Sequence, residues 1–129
     1  MSVPQKISKL RNFIARNPAL ADVGFTVIGN QAVTPRTALS MLERGQNINA
    51  VILGLKKIGV DPPEQDWALA EDYYRSLLQL PGPHPKIYII GTEMTLEQAL
   101  AHLKRRDAAG QQLLNSYQGL TREMARRMK

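Results

Sequence analysis

The chain has no cysteine. It can form no disulfide, offer no thiolate to a metal and supply no cysteine nucleophile, and a reducing, cytoplasmic setting is the default expectation for such a composition. Long apolar runs are missing too, since nothing approaches the roughly 18 residues that a membrane-spanning helix needs. The polar start Ser2-Val3-Pro4-Gln5-Lys6 leads into no apolar segment, so no secretory signal and no membrane partner are expected. Glycines stand singly, as at Gly29, Gly45, Gly54, Gly59 and Gly91, without the clustering of a phosphate loop, a dinucleotide fingerprint or a nucleophile elbow.

Catalytic side chains are as sparse. Only His84 and His102 are imidazoles, with neither a second histidine at helical spacing nor a His-x-x-Glu pair, so no metal site and no cofactor are expected. His84 lies between two prolines, facing water. His102 lies beside the stripe Ala99, Leu100, Leu103 and reads as a boundary residue rather than a general base. Asp61, Glu64 and Asp66 suit a helix N-terminus, where negative charge offsets the dipole, and Glu71 and Asp72 suit solvent. The aromatics Trp67, Tyr73, Tyr74 and Tyr88 lie outside the basic blocks, against the interleaving used to stack single-stranded bases. No catalytic residue is assigned, and no enzyme is expected.

What is present is an ordinary globular composition with uneven charge. The 129 residues are 43% hydrophobic and 22% charged, enough for one compact domain. The net charge of +6 conceals three blocks. Residues 1–59 hold eight bases against Asp22 and Glu43, residues 60–80 hold five acids against Arg75, and residues 104–129 hold seven bases against Asp107 and Glu123. Basic ends around an acidic waist suit an anionic partner, or a meeting of ends and waist between copies.

Periodicity places the elements. Ile7, Leu10 and Ile14, with Phe13 beside them, form one stripe of a helix running from Pro4 to Arg16. Phe25 to Ile28 is a β-branched run stopped by Gly29-Asn30 and reads as a strand with a tight reversal. Thr34-Pro35 opens a helix over Ala38, Leu39 and Leu42 that Gly45 closes. Asn47 stands ready to cap the strongest pattern in the chain, Ile48, Val51, Ile52, Leu55 and Ile58. Asp61 and Glu64 resemble a capping box for a helix to about Leu80 over Trp67, Ala70, Tyr74 and Leu77. Pro81 to Pro85 is a linker, Lys86 to Ile90 a second strand, and Thr95 with Gln98 a second capping box. Helix continues to the C-terminus, either unbroken or interrupted near residues 107–110.

The two halves resemble each other. Phe25-Thr26-Val27-Ile28-Gly29 answers to Ile87-Tyr88-Ile89-Ile90-Gly91 at an offset of 62, while Val33-Thr34, Ala38-Leu39, Leu42 and Arg44 answer to Met94-Thr95, Ala99-Leu100, Leu103 and Arg105 at 61. The first copy thus has one extra residue between strand and cap. A strand and one amphipathic helix cannot close a core alone, whereas two copies can pair their strands. The expectation is an α+β, mostly helical fold: a small sheet of two short strands from a duplicated strand-turn-helix unit, packed by about five helices. Segments 1–80 and 81–129 would form one folded unit.

For function, the basic terminal helices stand out. Lys6, Lys9 and Arg16 near one end and Arg105, Arg106, Arg122, Arg126 and Arg127 near the other are the candidates for an anionic partner. Leu113, Leu114, Tyr117, Leu120 and Met124 would serve a protein interface if the C-terminal helix projects. The chain therefore reads as a non-enzymatic interaction or assembly module that binds itself or a protein partner, with sequence-tolerant DNA or RNA binding as the alternative.

Overall fold

The computed structural model describes residues 2–58, 66–89 and 91–128. Among them are six α-helices and two short antiparallel strand pairs, an α+β architecture dominated by helix. The first helix, α1 (Val3–Arg16), starts at a capping box that the proline at residue 4 conceals in the sequence. Ser2 Oγ accepts from the Gln5 amide, and the Gln5 side-chain oxygen accepts from the Ser2 amide. A turn of 3-10 helix, Leu20–Asp22, leads to β1 (Thr26–Ile28), which pairs with β2 (Gln31–Val33). Thr34 caps α2 (Pro35–Arg44) and Gly45 closes it with φ +69°. Then comes α3 (Ile48–Lys57).

After residues 59–65, outside the described part, the order recurs: α4 (Asp66–Leu78), the hairpin β3 (Ile87–Ile89) and β4 (Thr92–Met94), α5 (Leu96–Arg105) and α6 (Ala108–Met128). The pairing of Asp61 with Glu64 falls in the undescribed stretch. Thr95 and Gln98 form the expected capping box.

Two expectations are corrected here. The strands of the two copies do not pair with each other; each closes a hairpin within its own copy, Val27 opposite Ala32 and Ile89 opposite Thr92. A two-residue reversal brings the next segment back at no entropic cost of a long closure, so local pairing wins. No extra residue separates strand from cap either. Thr26 corresponds to Ile87, Val33 to Met94 and Thr34 to Thr95, one spacing throughout. The glycine with positive φ merely moves from the first loop position, Gly29, to the second, Gly91. Matching glycine to glycine shifts the apparent register by one.

The repeated unit is also longer than strand, turn and helix. In the first copy α1 packs on α2, and α2 on α3; in the second α4 packs on α5, and α5 on α6. Each unit is thus helix, hairpin, helix, helix. Buried side chains from both, from Leu10 and Phe13 through Val33, Leu42 and Val51 to Leu69, Leu103, Tyr117 and Met124, form one apolar cluster.

The C-terminal region is two helices. Arg106 sits in the left-handed region at φ +54°, at the place Gly45 occupies in the first copy. A side chain there costs about 1 kcal/mol; its guanidinium lies 5.0 Å from the Trp67 ring centre, a contact worth about 0.5–1 kcal/mol. Asp107 then starts α6, accepting from the Gly110 amide at 2.8 Å and from His102 Nδ1 at 2.7 Å. Gly110 does not break the helix. Its Cβ would lie 2.2 Å from the carbonyl oxygen of His102, so glycine allows α5 and α6 to meet.

Candidate interaction surface

The C-terminal apolar stripe is not a free interface. Leu113, Tyr117 and Met124 are fully buried, Leu114 is 5% exposed and Leu120 is half-buried. The helix does not project, because α6 packs against α5, α4 and α1 and touches β3, and burial of such side chains yields about 1.5–3 kcal/mol each. The Tyr117 hydroxyl donates to the Gly24 carbonyl, and burial raises its pKa well beyond the ordinary tyrosine value. Gln118 Nε2 donates to Asp66 Oδ2 at 2.6 Å. Asp66 is itself buried, its other oxygen has no partner among the described residues, and desolvation raises its pKa despite the Gln118 bond.

The basic candidates do not gather into one patch. Arg105 and Arg106 flank the α5–α6 junction, while Arg122, Arg126 and Arg127 lie toward the far end of α6, about 25–30 Å away at 1.5 Å per helical residue. Arg126 and Arg127 close on Glu123, and the hydrogen bonds from these two arginines pull its carboxyl down to about 2. Arg105 Nε lies 3.9 Å from Asp107, and Arg106 covers Trp67. Arg122 is exposed. What the fold does bring together is the ends of α1 and α6: Arg127 Nη1 donates to Asn17 Oδ1 at 2.6 Å, beside Arg16. Lys9 is exposed and Lys6 partly so, about two and three turns back from Arg16 along α1.

The first unit is less completely closed than the second. Val51, Ile52, Leu55 and Ile58 repeat the spacing of Leu113, Leu114, Tyr117 and Leu120. Val51 and Ile58 are buried, while Ile48, Ile52 and Leu55 are only partly buried against the core where Leu114 and Tyr117 are fully covered. The main neighbours of α3 are α2 and β1, on the side of Val51 and Gly54, where the Gly54 position approaches Thr26. Its outer face carries Leu53, 53% exposed, with Asn49 and Ala50 one turn before and Lys56 and Lys57 one turn after. Leu53 stands off the apolar stripe, and that displacement is the signal in the sequence for this surface. Asn47, expected to cap α3, takes φ +52° at the N-cap position without a side-chain bond.

Among the described residues the unpaired charge of the first unit is positive. The two acids of the first unit are already engaged: Asp22 by Arg36 at 2.9 Å, Glu43 by Arg11 at 2.9 Å. Lys6, Lys9, Arg16, Arg44, Lys56 and Lys57 remain without such a partner among the described residues. By contrast Tyr88, 70% exposed on the second hairpin, faces Glu93 across the strand pair, with Lys86 3.5 Å from that carboxylate.

Among the described residues no three of histidine, aspartate and glutamate lie close enough to hold a metal ion, and no helix is long and apolar enough to cross a membrane. No protein family, curated protein or solved structure matches the chain.

Proposed function

We propose that the protein is a non-enzymatic interaction module that binds a protein, another copy of itself included, through the outer face of α3, in a cytoplasmic setting suggested by its cysteine-free composition. The observation that carries this reading is Leu53, 53% exposed on the outer face of α3 with Lys56 and Lys57 one turn further on. An apolar side chain held in solvent is an anchor available to the apolar surface of a partner. The earlier candidates on α6 are consumed by the core, whereas Leu53 stands in solvent.

Placing a photo-crosslinking residue at position 53, in the cells that make the protein, tests this. Covalent adducts to a protein are expected from position 53 and not from exposed Gln112 on α6. Equal labelling from both positions, or none from either, overturns it.

A second reading, sequence-tolerant nucleic-acid binding, is favoured by one feature, the bond of Arg127 to Asn17, next to Arg16 in the chain, where α1 and α6 end. It is weakened by the engagement of Arg126 and Arg127 with Glu123. Duplex binding at two salt concentrations decides it, because displacement of counterions by about five phosphate contacts would make affinity fall steeply with salt.

A further inference from the structure

We infer that His102 is a phosphoryl acceptor, modified at Nε2 by an acyl phosphate. This is independent of the reading of α3 and rests on the junction between α5 and α6.

Asp107 divides its carboxylate between two tasks. Oδ1 accepts from the Gly110 amide at 2.8 Å and so satisfies the start of α6, while Oδ2 lies 2.7 Å from His102 Nδ1. The bonds from Gly110 and His102 hold the Asp107 carboxyl below the usual carboxylate range. It therefore stays an acceptor, and the hydrogen of the shorter bond belongs to Nδ1. A neutral ring held this way carries its lone pair at Nε2 and keeps one orientation. The His102 side chain is 29% exposed, and no described residue bonds Nε2.

The surroundings select the chemistry. Arg105 Nε lies 3.9 Å from the same Asp107 oxygen, and Lys104 and Arg106 flank Arg105 in the chain. These cations oppose a metal ion at Nε2 and favour an anion. A metal would also ask for further ligands, and among the described residues no three of histidine, aspartate and glutamate gather. A phosphoryl acceptor needs a lone pair, a fixed ring and a cation to meet the phosphoryl oxygens, and the junction supplies all three.

The transfer balances without an oxidant or reductant. Nε2 attacks phosphorus with its lone pair, the bond from phosphorus to the acyl oxygen breaks, and the carboxylate leaves with that electron pair. The ring becomes positive while Nδ1 keeps its proton, and the Asp107 carboxylate stabilises that charge. Asp107 is thus a positioning residue.

His84 is the control within the chain, since its Nε2 lies 3.3 Å from the Leu80 carbonyl oxygen and no described carboxylate holds its ring. The full chain is incubated with acetyl phosphate and followed by intact mass and fragmentation. One phosphoryl group, stable in base and lost in acid, should appear on His102 roughly tenfold faster than on His84 and be missing there in His102→Gln. Asp107→Asn, which can still cap α6, should slow transfer by roughly tenfold or more with little change in melting temperature, and Asp107→Glu should restore part of the rate. Arg105→Ala should raise the acetyl phosphate concentration that gives half the maximal rate and leave that maximum in place. Transfer from acetyl phosphate alone identifies a free donor; transfer that also needs the macromolecular fraction of a cell extract identifies a carboxyl phosphate carried on a protein. Equal rates at the two histidines, the same rate at His102 after unfolding in urea, an Asp107→Asn variant as fast as wild type, or no transfer from either source overturns the inference. The comparison of the two histidines in the wild-type chain decides it even if a variant fails to fold.

Discussion

The two units run through the same elements in the same order and finish differently. In the second, α6 is 21 residues long and lies under α4 and α1; in the first, α3 is 10 residues long and rests mainly on α2 and β1. Helix α1, the first unit's counterpart of α4, packs on α2 and on α6. One pattern of apolar spacing thus serves as fully buried core in one copy and as a partly covered edge of the core in the other. Periodicity reports that a helix has an apolar side; which neighbour reaches that side depends on how long the helix is and where the preceding helix goes.

Substitutions at matching positions would sharpen this contrast. Tyr117→Ala should cost about 3–5 kcal/mol, because it empties a fully buried site and strands the Gly24 carbonyl, and thermal or denaturant unfolding measures it. Leu55→Ala, its counterpart on α3, should cost clearly less. Equal losses would mean that α3 is as enclosed as α6.

The glycines divide similarly. Gly110→Ala should destabilise by about 1–3 kcal/mol, since the new methyl meets the backbone oxygen of His102, which cannot turn aside. Gly54→Ala meets Thr26 Cγ2 at 2.9 Å, Thr26 Cβ at 3.2 Å and the buried Phe25 ring at 3.3 Å, a β-branched side chain and a packed ring that yield little; about 1 kcal/mol of helix propensity offsets part of the clash, so it should destabilise, and by less than Gly110→Ala. Leu53→Ala should change stability by less than about 0.5 kcal/mol, as expected for an exposed position, and a large loss in chemical denaturation would show that Leu53 belongs to the fold.

The polar lock on α6 predicts a pH effect. Burial raises the pKa of Asp66 above its value in the unfolded chain, so the unfolded chain gives up that proton first. Ionisation then favours unfolding, and stability contributed by the protonated carboxyl is lost as pH rises through the folded-state value. Wild type compared with Asp66→Asn across pH 3 to 7 should show this as a difference that shifts in favour of the variant toward neutral pH. A difference independent of pH would mean Asp66 titrates normally.

Much of the local structure was legible in the residues. Thr34 with Gly45, and Thr95 with Gln98, bound their helices as expected because capping is settled within four residues. The α+β class followed from two β-branched runs among amphipathic segments. The strands β2 and β4 were hidden: Gln31-Ala32-Val33 and Thr92-Glu93-Met94 have little strand character and are held by the partner across a two-residue turn. The break between α5 and α6 was one of the two readings left open near residues 107–110, and the tertiary contact it depends on was hidden: Arg106 takes positive φ over Trp67. Of the candidate residues, Arg126 and Arg127 were visible as charge but not as neighbours of Glu123, and the α6 stripe was visible as apolar but not as buried.

The sequence by itself determined where the helices lie, the caps at Thr34 and Thr95 and the distribution of charge, because each depends on residues a few positions apart. Tertiary structure alone decided how completely each apolar stripe was covered, because burial requires a second surface brought from elsewhere in the chain: α6 found α4 and α1, while α3 rests mainly on α2 and β1 and keeps Leu53 in water.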